Sequence, residues 1–309
     1  MALAKTSTGG AFDPTEPNIY FIASNIDSLR LAAPVHDHVL IAVNEIKPAD
    51  IPVLEQWIGA GKRVFIDSGI FHLTNEHARA HNVSMDQALA LAPEAIDGFR
   101  ELWDRYLAVV QRLGQKAWGY IELDQGGLEH KRRTRAKLEA LGLRPIPVYH
   151  PLNDGWDYFD ELSDRYDRIC FGNVVQADIP TRKKLVATAW ERHRRHPDLW
   201  IHLLGLTPNE LLYALPINSG DSSSWLSSVR WSGYIEHAAG RTLGPMPRNF
   251  QYRLGSETDS PEGRAKANLV AAYGAAMMQR NWRTHLRRMQ ELGAQIYPPV
   301  KGADDADGS

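Results

Sequence analysis

Three aspartates in this chain close short apolar runs. They are Asp67 in Arg63-Val-Phe-Ile-Asp-Ser-Gly69, Asp124 in Trp118-Gly-Tyr-Ile-Glu-Leu-Asp124, and Asp221 in Pro216-Ile-Asn-Ser-Gly-Asp221. A carboxylate at the carboxyl end of a buried strand, followed by Gly or Ser, stands where α/β enzymes carry out chemistry. Two or three carboxylates around one pocket suit reaction at an anomeric carbon. One attacks or stabilises the cationic sugar while another protonates the leaving group. Taken singly, each Asp serves equally well as a cap for the helix or turn that follows. The repetition along one chain favours a shared site.

The elements that must position these groups are legible as apolar runs of strand length. They are Asn18–Ser24, His38–Val43, Arg63–Ile66, Trp118–Leu123, Pro145–Tyr149, Arg168–Phe171, Leu199–Leu204 and Leu215–Asn218. The runs are continuous rather than alternating, as strands buried on both faces are. Helical patterns fall between them, over 49–60, 85–113 with a break near Pro93, 129–141, 155–166, 181–196 and 208–214. Thr207-Pro208-Asn-Glu210 reads as a capping box with Pro at the first helical position.

Eight strands alternating with helices predict an α/β fold, a (β/α)8 TIM-type barrel with a C-terminal helical extension. A doubly wound open sheet is the competitor. The first strand runs into Ala23-Ser-Asn-Ile26 rather than a Gly-rich phosphate turn, which argues against a dinucleotide fold. The predicted organisation is an N-terminal arm over 1–17, a barrel core over 18–225, a C-terminal loop and helix packing on it over 226–300, and a disordered tail over 301–309. Residues 222–261, rich in Ser, Gly and Pro, read as loop, and 262–293 as one long helix.

Of the 309 residues, 43% are hydrophobic and 23% charged, which is ordinary globular composition. No apolar run reaches the roughly 20 residues of a membrane helix, and the first ten residues lack the apolar core of a secretion signal. The single cysteine, Cys170, excludes an internal disulfide and a multi-cysteine zinc site. These features fit a cytoplasmic protein. The net charge of −2 hides clustered basic residues: Lys131-Arg-Arg-Thr-Arg-Ala-Lys137, Arg182-Lys-Lys184, Arg192-His-Arg-Arg195, and Arg280, Arg283, Arg287 and Arg288 at helical spacing. Such patches hold phosphates or serve as solvated helix faces.

Several segments resemble a known family. Phe65-Ile-Asp-Ser-Gly-Ile-Phe71 resembles the Asp-Ser-Gly-Gly-Phe segment of tRNA-guanine transglycosylases. Leu204-Gly-Leu-Thr-Pro-Asn-Glu-Leu211 resembles their Gly-Thr-Pro-Glu-Asp-Leu segment, and Asn218-Ser-Gly-Asp221 follows at a similar distance. Phe171-Gly172-Asn173 is a weaker match to the family's Val-Gly-Gly turn. The likeness spans roughly Ile19 to Trp225. It is closer to the small zinc-less bacterial and phage relatives, in which Asp-Ser-Gly-x-Phe, Pro-Ile-Pro-Val-x-His and Asp-Ser-x-Ser-Trp recur. Some of that wider group exchange guanine for a 7-deazaguanine in DNA.

The resemblance implies base exchange through a covalent Asp-glycosyl intermediate, with Asp221 as nucleophile and Asp67 as general acid/base. It implies that Asp124 accepts hydrogen bonds from the base, that Gly172 offers backbone contacts, that Ser68 is a further donor and that Phe71 stacks. His150 stands where the tRNA enzymes place a Gln, and donates to a base carbonyl or is a satisfied strand-end histidine. With one cysteine the three-cysteine, one-histidine zinc site of the tRNA enzymes cannot form, so no cofactor is expected. DNA is favoured over tRNA as partner, with a 7-deazaguanine-type base such as preQ0 as the incoming group. A homodimer is compatible, and no membrane partner is implied. Lys131, Arg132, Arg133, Arg182, Lys183 and Trp225 are candidate nucleic-acid contacts.

Two other readings stay open. One is a metal-dependent barrel hydrolase of a small molecule, using His72, His77 and His81 with Asp67 and Asp124. Gly69 and Asn75 suggest a loop there, and the spacing does not place all three histidines on one helical face. The other is a nucleic-acid-binding barrel that has lost its chemistry.

Overall fold

The computed structural model describes residues 5–8, 19–196, 198–206, 217–226 and 261–291. Eight strands occur in chain order among these residues: β1 (Ile19–Ala23), β2 (His38–Ala42), β3 (Arg63–Asp67), β4 (Gly119–Tyr120), β5 (Val148–Tyr149), β6 (Arg168–Phe171), β7 (Trp200–Leu203) and β8 (Ser219–Ser222). The α-helices among the described residues are α1 (Ile26–Ala32), α2 (Ile51–Gly59), α3 (Ile70–His81), α4 (Met85–Ala90), α5 (Phe99–Leu113), α6 (Gly127–Ala140), α7 (Trp156–Arg165), α8 (Ile179–Arg195) and α9 (Pro261–Glu291). The fold is α/β. By packing, the chain divides into two compact units: residues 1–12 with 40–174, and residues 13–39 with 175–309.

In the first unit, β3 and β4 pair in parallel with Ile66 opposite Tyr120, and β5 and β6 pair in parallel with Tyr149 opposite Phe171. A parallel bridge between Ile121 and Ile146 joins β4 to β5, supported by Ile146 N–H to Tyr120 O at 2.8 Å and Glu122 N–H to Ile146 O at 3.1 Å. The order is therefore β3-β4-β5-β6, and all four carboxyl ends lie at one edge. Helix α5 buries Leu102, Tyr106, Val109, Val110 and Leu113 along one face. Each such side chain contributes about 1.5–3 kcal/mol of burial. The Tyr106 hydroxyl also donates to Ile121 O at 2.9 Å, pinning the residue that leaves β4.

The second unit is built on β1-β8-β7, again parallel, with Phe21 opposite Asp221 and His202 opposite Ser219. Helix α9 packs on α1, on β1 and on the turn at 224–226. It does so through Ala271, Ala275, Met278, Trp282 and Leu286, all buried, recurring three or four residues apart as one helical face requires. The alanines let the neighbouring backbone come close.

Two expectations need correction. The eighth strand is Ser219-Gly-Asp-Ser222, not the apolar run at 215–218, so Asp221 lies inside a strand rather than after it. Small polar residues hold this central position because β1 and β7 satisfy their backbone on both sides. A side chain at Gly220 would meet Leu206 O at 2.7 Å. Residues 70–81 form helix α3 instead of a loop. Ile70, Thr74, His77 and Ala78 share its buried face, and Gly69, at φ +77°, absorbs the sharp entry. The break at Pro93 is present as a short 3-10 turn between α4 and α5. The expected arm at 1–17, the helix at 208–214, the loop at 222–261 and the tail at 301–309 lie wholly or mostly outside the described residues. Among those residues, no helix is long and apolar enough to cross a membrane.

Candidate functional site

In the first unit the chain leaves β3 through Asp67, Ser68 and Gly69. The Ser68 hydroxyl is buried and accepts weakly from Ile70 N–H at 3.4 Å. A Cβ at Gly69 would stand 2.4 Å from Asn44 Oδ1, so this turn is pressed directly against Asn44. The Asn44 side-chain oxygen is itself buried and accepts no hydrogen bond among the described residues. Asn44 was not foreseen, although it sits two residues beyond β2, a strand-end position of the same kind as Asp67. Phe71, in the first turn of α3, is 52% exposed.

Across the same edge, Asp124, His150 and Gly172 come together. His150 Nε2 lies 2.7 Å from Asp124 Oδ2, with both side chains largely buried. A Cβ at Gly172 would fall 2.6 Å from His150 Cδ2 and 2.8 Å from Nε2, so the ring rests on the Gly172 backbone. Burial pushes the Asp124 carboxyl up, but the His150 hydrogen bond and the charges of His150 and Lys131 outweigh it and hold Asp124 below the usual range. An ionised Asp124 is a pure acceptor.

Buried charge pairs fix this group from behind. Asp154 Oδ2 accepts from His150 N–H at 2.7 Å and is ion-paired with Lys131, whose ammonium also donates to Val148 O at 3.3 Å. Glu122 takes Arg135 in a two-point contact at 2.6 and 2.9 Å and accepts from Val148 N–H at 2.7 Å. Lys131 is thus withdrawn from solvent. Its expected role as a nucleic-acid contact is corrected to that of a positioning residue behind His150.

The second unit carries Asp221. Its Oδ1 is 3.0 Å from His202 Nε2 and accepts from Gly205 N–H at 2.9 Å. His202 Nδ1 lies 2.8 Å from Ser219 Oγ. With the ring proton on Nε2 toward the carboxylate, Ser219 donates to His202 and His202 to Asp221, a directional relay. Trp200 stacks on the His202 ring at 5.5 Å and Phe21 meets it edge-on at 5.9 Å, which locks its orientation. Tyr20 donates to Ser222 O at 3.2 Å. Burial first, and the Asp221 charge second, push its hydroxyl pKa far up, so it stays protonated. His202 was missed as a site residue. Its signal was a lone histidine within an apolar strand run one strand before the aspartate.

The remaining basic candidates divide. Arg132 is ion-paired with Glu161 on the surface, while Arg133 is exposed beside His130. Arg182 donates to Val175 O at 2.7 Å and Ala177 O at 3.2 Å, and Lys183 is exposed. Trp225 is corrected from a stacking residue to a core one. It is 5% exposed, in the turn packed against α9. A cleft of about 280 Å³ in this unit gathers Arg280, Arg283 and Arg287 of α9 with His36, Asp37 and Gln279.

No known family model and no curated protein matches the chain. Among solved structures, a cube-shaped, highly porous protein cage designed by fusing symmetric oligomeric domains is similar at 14% identity and a TM-score of 0.36, over 91% of this chain and 80% of that one. That likeness is too distant to bear on fold or function.

Proposed function

We propose that this protein is a base-exchanging glycosyltransferase that replaces guanine in a nucleic acid, DNA in preference to tRNA, with a 7-deazaguanine base. The observation that carries this reading is the assembly of Asp124, His150 and Gly172 into one compact group at strand carboxyl ends. An ionised acceptor held in place by a ring suits the N–H groups on a purine's hydrogen-bonding edge. We read the eight parallel strands as those of a (β/α)8 barrel, a fold whose strand carboxyl ends carry the chemistry.

In this mechanism Asp221 attacks C1′ of the target nucleotide. The two donors on Oδ1 orient the carboxylate, so Oδ2 is the attacking atom. The C1′–N9 bond breaks as Asp67, protonated, delivers its proton to a ring nitrogen of the departing guanine. The incoming base then loses its N9 proton to the Asp67 carboxylate and attacks C1′, releasing Asp221. One proton is given and one recovered, with no change of oxidation state. Phe71 stacks on the extruded base, and Asn44 Oδ1 is a further acceptor beside Ser68 and Gly69. The arginine cleft on α9 supports a polyanionic partner, since guanidinium groups are preferred ligands of phosphate.

The test is release of labelled guanine from duplex DNA, and in parallel from tRNA, on addition of a 7-deazaguanine base. Asp67→Ala and Asp221→Ala should each abolish release while keeping the wild-type circular dichroism. Undiminished release in both variants overturns the proposal. Salt-dependent DNA binding with no release in the wild type points instead to a binding protein.

A further inference from the structure

The third strand's helix carries a cluster that the exchange reaction does not use. His77 and His81 lie four residues apart on α3 and so share one face. Asp97, at the entry to α5, reaches over both. Its Oδ2 is 3.0 Å from His77 Nδ1 and 2.6 Å from His81 Nε2. The two rings are 4.2 Å apart and tilted by 34°. All three ligand atoms lie within 4.8 Å of one another. His72 does not belong to the group: its ring pairs with Glu76 at 3.1 Å. Asp124 is likewise engaged elsewhere, by His150.

The His77 nitrogen is in a contradictory position. It faces the carboxylate oxygen at 3.0 Å and also the Asp97 backbone N–H at 3.3 Å. One ring nitrogen has either a lone pair or a proton in its plane. A lone pair suits the N–H and repels the carboxylate, and a proton does the reverse. A cation held between Nδ1 and Oδ2 makes the carboxylate contact attractive without a proton on the ring, while the more distant Asp97 N–H gives up the lone pair to it. Ligands of a tetrahedral ion with bonds of about 2.0–2.1 Å stand about 3.3 Å apart. The two close pairs, now 3.0 and 2.6 Å, need to open by about 0.3 and about 0.7 Å. His81 and Asp97 are 52% and 69% exposed, so they are free to do so. His81 also lies in the last turn of α3, whose dipole favours positive charge.

We infer that His77 Nδ1, His81 Nε2 and Asp97 form a site for one first-row divalent transition ion of the zinc type. Two imidazoles and one carboxylate select such an ion over magnesium or calcium, which prefer all-oxygen shells. A water would complete the coordination. The ion ties the end of α3 to the turn that begins α5. It thereby braces the helix that starts at the Asp67-Ser68-Gly69 turn, and it takes no part in the exchange chemistry.

The experiment is calorimetric titration of chelator-treated full-length protein with zinc chloride, with thermal unfolding as a second readout. The wild type should bind one equivalent and melt at a higher temperature with zinc present. His81→Ala and Asp97→Asn, both at exposed positions that leave the core intact, should each weaken binding tenfold or more and lose the thermal shift. His72→Ala should bind as the wild type does. No uptake by the wild type, or equal affinity in His81→Ala and Asp97→Asn, overturns the assignment.

Discussion

The group of Asp124, His150 and Gly172 offers a prediction whose size follows from the coordinates. In Gly172→Ala the new methyl would sit 2.6 Å from His150 Cδ2 and 2.8 Å from Nε2. Carbon atoms prefer about 3.5–4.0 Å, so the ring must retreat by nearly 1 Å. A displacement of that size disrupts the geometry of the 2.7 Å hydrogen bond to Asp124, since such bonds tolerate little change in length or angle. A hydrogen bond to a charged group is worth about 1.5–3 kcal/mol. Against this, replacing Gly by Ala restricts the unfolded chain and returns about 0.4–1 kcal/mol. Gly172 is not in the left-handed region, so no backbone penalty is added. The net expectation is a loss of about 1–2 kcal/mol in urea unfolding, together with weaker binding of a 7-deazaguanine base. The decisive comparison is the same substitution in a His150→Ala background. With the ring gone, Val148 Cγ1 at 3.0 Å is still a tight neighbour, but the hydrogen-bond share of the loss disappears and the increment should be clearly smaller. An equal loss in both backgrounds would refute the contact as the cause.

Two further predictions concern stability. Burial pushes the His193 pKa down to about 4, while Leu199 O accepts from its Nε2 at 2.7 Å. The unfolded chain takes up this proton near pH 6.5 and the folded one only near pH 4. Stability should therefore decline as pH falls through that window, by about 3 kcal/mol in total, and His193→Gln should flatten that part of a denaturation-versus-pH curve. Lys131→Met strands the buried Asp154 carboxylate and should cost about 3–5 kcal/mol in denaturant unfolding. Adding Asp154→Asn should recover much of that. Arg132→Ala, at a surface pair, should cost under about 1 kcal/mol.

The α/β alternation was legible because buried parallel strands read as continuous apolar runs, and seven of the eight runs overlap the observed strands. The eighth failed for a physical reason. Ser219-Gly-Asp-Ser222 carries no apolar signal, and its strand state comes from pairing with β1 and β7. Helix α3 was obscured by Gly69 and Asn75, local loop signals that the buried face of Ile70, Thr74, His77 and Ala78 overrides. The aspartates and His150 could be found from their strand-end positions. Asn44 and His202 could not be ranked, because what marks them is contact with Gly69 and Asp221. Lys131 shows the limit of reading charge runs. Within Lys131–Lys137 two cations, Lys131 and Arg135, are buried in ion pairs while Arg132, Arg133 and Lys137 face solvent.

The central claim is that Asp221 becomes covalently bonded to the sugar. Incubating the protein with a guanine-containing DNA duplex and no incoming base, then quenching in denaturant, allows the adduct to be found by mass spectrometry. The account predicts a protein carrying a DNA strand that lacks one guanine, attached through the peptide that contains Asp221, and no adduct in Asp221→Asn. An adduct on another residue, or guanine exchange proceeding with no adduct at all, would contradict it.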